Sequence, residues 1–87
     1  SPDVKKALAA AVGGRGGLLA LSFGEQPRMR LFVRTAETAT GDRVRTYFQA
    51  RAAEMGSATA GGGGVFALFD APFVPAVLQR MLADAAK

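Results

Sequence analysis

Between Met29 and Thr35 the chain reads Met-Arg-Leu-Phe-Val-Arg-Thr, and its chemistry alternates. Successive side chains of an extended chain point to opposite faces, so Met29, Leu31 and Val33 fall on one side and Arg30, Phe32 and Arg34 on the other. A half-buried strand ordinarily turns apolar residues to the core and polar ones to water. Here the outward side carries a large aromatic ring between two guanidinium groups, with Arg28 one step further back. Such rings stack on unpaired bases at about 1–3 kcal/mol per base, while arginines pair with phosphates. Binding of a single-stranded nucleic acid is the chemistry this spacing serves.

Other chemistries find little to work with. The chain has no cysteine and no histidine, which removes disulfides, thiolate nucleophiles, thiolate–imidazole zinc sites and imidazole acid–base catalysis. Its seven carboxylates are scattered over expected caps, turns and helix surfaces, with no pair placed for acid–base work. Four of the five residues at 13–17 are glycine, but the Walker lysine-serine/threonine pair is missing and no strand precedes them. Neither an enzyme nor a metal or cofactor site is therefore expected. The formal net charge of +4 and pI near 10.4 favour an anionic partner, nucleic acid or an acidic protein surface.

The surrounding elements decide whether Arg30, Phe32 and Arg34 reach a surface. At 87 residues the chain is expected to be a single small domain over 1–87, with glycine-rich loops at 13–17 and 61–64. Ser1-Pro2-Asp3 reads as a helix start, and Val4, Leu8, Ala11 and Val12 recur at helical spacing until Gly13-Gly14. Residues 18–23 read as a strand, and the turn at 24–28 predicts a hairpin with 29–35. A helix is expected from about 42 to 55, with Val44, Tyr47, Phe48, Arg51, Ala52 and Met55 on its inner face and Arg43, Arg45, Gln49 and Glu54 toward water. Gly56 is its expected stop. Residues 58–60 could form a short edge strand, 65–70 is the third clear strand, and a last helix to about 86 carries an apolar stripe wide enough to bury on a sheet. No run of about eighteen apolar residues predicts a membrane span, and Lys5 and Lys6 interrupt any signal-peptide pattern. An intracellular location, cytoplasm or nucleus, is favoured. The start at Ser1 rather than methionine matches an excised domain or a processed product.

The chain resembles an RNA-recognition motif domain over roughly residues 29–82. Leu31-Phe32-Val33 is similar to the family's hexamer motif, whose second residue is an exposed aromatic. Asp42-Arg43-Val44-Arg45-Thr46-Tyr47-Phe48 resembles the start of its first helix, and Gly62-Gly63-Gly64-Val65-Phe66-Ala67-Leu68-Phe69 resembles its octamer motif. Asp70-Ala71-Pro72 followed by Val74, Val77 and Leu78 looks like the passage into its second helix. The octamer's basic residue is replaced by Gly62 and one of its rings by Gly64, so Phe66 alone remains. No fourth strand follows the last helix, yet residues 3–23 read like the family's final helix and strand moved to the front. A permuted or divergent form of the fold, or a segment spanning parts of two tandem domains, fits that pattern.

The resemblance implies an α/β (α+β), ferredoxin-like open sheet of three to four strands with helices on one face, in the order α-β-β-α-β-α. The helical crossover is expected to return to a parallel neighbour, putting Phe32 and Phe66 side by side. The implied function is single-stranded RNA binding through Phe32 and Phe66, with Arg28, Arg30 and Arg34 contacting phosphates. The alternative is protein interaction or self-association through Leu18, Ala20, Phe32, Phe66 and Leu68, a larger apolar patch than monomers usually expose.

Overall fold

The alternation around Phe32 folds as a strand. The computed structural model describes residues 2–12 and 16–86, and the side chains of 4–11 and 16–85. In it β1 (Gly17–Ser22) and β2 (Arg28–Arg34) form the expected antiparallel hairpin, with Leu18 opposite Phe32 and Leu19 opposite Leu31. Met29, Leu31 and Val33 are buried, and every residue of β2 between and beyond them is exposed. The helix α1 (Pro2–Val12) precedes the hairpin. The expected serine cap at Ser1 and the glycine-rich connection through Arg15 lie outside the described residues.

The helix α2 (Thr38–Met55) begins earlier than the sequence pattern predicts, with Glu37 at its N-cap and Gly41 inside its first turns. Gly41 ordinarily weakens a helix, but a Cβ there would run into the backbone oxygen of Gly64. Glycine is what lets α2 lie against the start of the next strand. Gly56 ends the helix as expected, with φ +78° and its N–H donating to the Ala52 carbonyl.

After α2 come β3 (Thr59–Gly61), a short edge strand, and β4 (Phe66–Pro72). Between them Gly62 takes φ +109° and Gly64 φ +58°, a reversal open to glycine and closed to most side chains. Strand order is β1-β2-β4-β3, antiparallel throughout. The expected parallel neighbour for β2 is therefore corrected. The crossover through α2 delivers β3 in the same direction as β2 but two places away, and the glycine reversal returns β4 into the gap, antiparallel to both.

The core lies on one face of this sheet. Val4, Leu8 and Ala11 of α1 and Val44 and Phe48 of α2 pack on Met29, Leu31, Val33, Ala67, Phe69 and Ala71. The Phe48 and Phe69 rings meet at 5.5 Å. The last helix, α3 (Pro75–Ala86), departs from expectation. Met81 is buried in the core, yet α3 lies mainly along α1 and is tied to α2 by Tyr47–Asp84 and Arg80–Glu54 contacts, leaving α1 and α2 to cover the strands. The result is an α+β fold with a four-stranded antiparallel open sheet and three helices, compatible with a ferredoxin-like layout.

Candidate functional site

The opposite sheet face is the candidate site, and its rows follow from the pairing register. Leu18, Phe32 and Leu68 form one cross-strand row, and Ala20, Arg30, Asp70 and Thr59 form the next. Ser22, Arg28 and Pro72 lie beyond these, and Arg34 faces Phe66 at the other end. All eight residues proposed for nucleic-acid or protein contact thus share one face, which none of the three helices covers.

Phe32 and Phe66 sit diagonally across the β2–β4 pair. Their centroids are 5.6 Å apart and the rings are inclined by 27°, a stacked pair. Phe32 is 39% and Phe66 41% exposed, so each keeps an open side, and Leu18 beside them is 62% exposed. Phe66 opens β4 directly after the glycine reversal, so its position depends on that turn. Arg45 holds it: Nη1 donates to the Gly64 carbonyl at 2.9 Å and the Phe66 carbonyl at 2.7 Å, while Nη2 pairs with Asp42. The helical pattern turns Arg45 to water; its side chain is instead only 14% exposed. The Thr35 hydroxyl adds a second tie, 2.9 Å from the carbonyls of both Glu37 and Val65, its one proton shared between them.

The three arginines differ in state. Arg28 donates Nε and Nη2 to Asp70 Oδ1 at 3.2 and 3.0 Å, and Arg30 donates the same pair of groups to Oδ2 at 3.3 and 2.9 Å. Hydrogen bonding from Arg30, reinforced by Arg28, holds the Asp70 carboxyl below the usual carboxylate range against the opposing effect of its burial. Arg34 makes no ion pair among the described residues. Two of the three cations expected to meet phosphates are therefore already engaged by one carboxylate.

Asp70 and Arg45 are the site residues that sequence reasoning missed. The signal for Asp70 lies in the period of two from Phe66 through Leu68, which puts all three on one face; only the antiparallel register sets it opposite Arg30. Arg45 gave no comparable signal, since a basic residue in a helix reads as solvated until the neighbouring loop is in place. Among the described residues no group of three histidine, cysteine, aspartate or glutamate residues is placed to hold a metal, and no helix is long and apolar enough to cross a membrane. Comparison with protein-family models, with curated proteins and with solved structures finds no match to this chain.

Proposed function

We propose that this chain is a binding module that takes single-stranded RNA on its open sheet face, with Phe32 and Phe66 as the stacking platform, in a permuted form of the RNA-recognition-type sheet. The strand order supports the permuted reading, because β1 stands antiparallel beside β2, as the final strand of that family, moved to the front, would stand beside its first. The observation that carries the function is the pair of half-exposed rings, 5.6 Å apart on the two central strands of an uncovered face. Each base stacked there contributes about 1–3 kcal/mol, so two contribute about 4 kcal/mol and correspond alone to a Kd of about 1 mM. Phosphate contacts must supply the rest, and affinity falls with salt.

Fluorescence anisotropy with labelled single-stranded oligoribonucleotides tests this. Phe32→Ala is expected to weaken binding by about 5- to 150-fold without altering oligomeric state. Absence of measurable affinity at low salt refutes the proposal. A second reading, protein interaction or self-association, is favoured by the exposed Leu18 and by β1, an edge strand without a charged residue to discourage strand addition. It predicts a defined oligomer or a tight partner in sedimentation, lost in Phe66→Asp; a partnerless monomer counts against it.

A further inference from the structure

We propose that the hollow between α1 and the end of β2 is a second nucleotide subsite, holding the phosphate of the nucleotide next to the Phe32–Phe66 platform between Lys6 and Arg34. The inference rests on the platform reading and extends it.

The hollow has a volume of about 420 Å³, within the roughly 300–1,000 Å³ usual for small-molecule sites. Small side chains line it, Ala7 and Ala10 of α1 with Thr35, Ala36 and Thr40, and Lys6 and Arg34 border it too. Arg34 is the register partner of Phe66, so the hollow begins where the platform ends. A strand lying over the two rings and leaving the sheet at this end meets it next.

The distribution of ion pairs favours an anion here. Arg28 and Arg30 share Asp70, Arg51 and Arg80 share Glu54, and Arg45 pairs with Asp42. Lys6 and Arg34 hold none among the described residues, though both border the same cavity. The stacking platform by itself gives only millimolar affinity, and Asp70 occupies the arginines at its other end. Two cations without a carboxylate, Lys6 and Arg34, therefore lie together beside the platform, and the small side chains of the lining leave room for a sugar or a base edge.

The test compares a dinucleotide, long enough for the platform alone, with a hexanucleotide of the same base, in uridine and adenosine series. Lys6 is exposed on α1, and Lys6→Gln keeps a good helix former there. Ala10→Phe, which fills the hollow, is the second variant, and circular dichroism checks its fold. Binding is read by anisotropy for the hexanucleotide and by amide chemical shifts for both ligands. Lys6→Gln is expected to weaken the hexanucleotide by about threefold at low salt, to lower its log–log salt slope by about 0.7, and to leave the dinucleotide unchanged. Amide shifts at Ala7 and Ala10 are expected with the hexanucleotide only. If Lys6→Gln and Ala10→Phe are both silent while Phe32→Ala still weakens binding, the subsite is overturned and the platform stands. If neither ligand binds, the platform reading fails and the subsite with it.

Discussion

On the proposed reading Asp70 limits the positive charge that the open face offers RNA, and Asp70→Asn tests that role. The carboxylate is 21% exposed, against 45% for Arg28 and 62% for Arg30. Pairs this close to solvent stabilise by about 0.5 kcal/mol each. The substitution is thus expected to cost about 1 kcal/mol in all, a Tm loss of about 4–8 °C for a domain of this size. The folded Asp70 carboxyl lies below its ordinary value, so its contribution is complete above about pH 4 and is lost as pH falls through the lower folded value. At neutral pH the larger effect is expected on the proposed binding. Asparagine raises the formal net charge by one from +4 and frees two guanidinium groups on the ligand face. Each phosphate that a freed guanidinium then pairs with steepens the log–log salt dependence for a single strand by about 0.7, so two add about 1.4. Between about 50 and 200 mM salt that is an additional sevenfold change in Kd. Anisotropy titrations of one labelled hexanucleotide against both proteins at the two salt concentrations measure it. An unchanged slope, with the variant folded, refutes the assignment of Arg28 and Arg30 to the ligand face. A weakened low-salt affinity refutes the competition instead, because it makes Asp70 a positioning residue for these two arginines.

Two further predictions concern the frame that carries the face. Gly41→Ala should raise stability by about 1 kcal/mol if helix propensity decides, but the added Cβ meets the Gly64 backbone, so a loss of about 1–3 kcal/mol is expected from the forced shift; a raised Tm in thermal unfolding refutes the close packing of α2 on the β4 turn. Tyr47 is the sole tyrosine in a chain without tryptophan, and its hydroxyl donates to Asp84 Oδ2 at 2.7 Å. Burial, and then the Asp84 carboxylate, push its pKa well above the ordinary value, so the unfolded chain ionises first. Stability is accordingly level below about pH 10 and falls as pH rises beyond it. Tyrosinate absorbance is expected to appear together with unfolding, and a reversible ionisation near pH 10 in folded protein refutes the half-buried Tyr47–Asp84 hydrogen bond.

How far the sequence reveals this architecture depends on the range of each interaction. The alternation from Arg28 to Arg34 is local, and the buried and exposed residues of β2 follow it one by one. The hairpin, the Gly56 stop and the edge strand are likewise written in nearby residues. The direction of β4 is not, because Val65 to Asp70 has the same alternation whichever way it runs. Only the landing place of the crossover, set by the short β3 and the glycines after it, makes the pairing antiparallel. The Asp70 partnership is hidden for the same reason, since register alone sets Asp70 opposite Arg30. Placement of α3 escapes for a related one. A stripe of Val77, Leu78 and Met81 fits a sheet or another helix equally well, and α1 has already taken the place on the strands.

The antiparallel register also gives the open face a polarity that a parallel arrangement would lack. It gathers Arg28, Arg30 and Asp70 at one end, where one carboxylate is shared by two guanidinium groups, and leaves Arg34 beside Phe66 at the other. Phe66 is held at that end by the turn that Arg45 and Thr35 secure, so the ring next to Arg34 rests on an anchored backbone. On the proposed reading, an anionic strand stacked on the rings finds in Arg34, beside Phe66, a guanidinium with no carboxylate partner among the described residues. A protein partner drawn by Leu18 and the β1 edge approaches from the side of the sheet, since β1 is one of its two edges. Both readings use Phe32 at the centre, but they require different neighbours of it. Variants on the Arg34 side and on the Leu18 side therefore separate the two modes more sharply than removal of the shared ring.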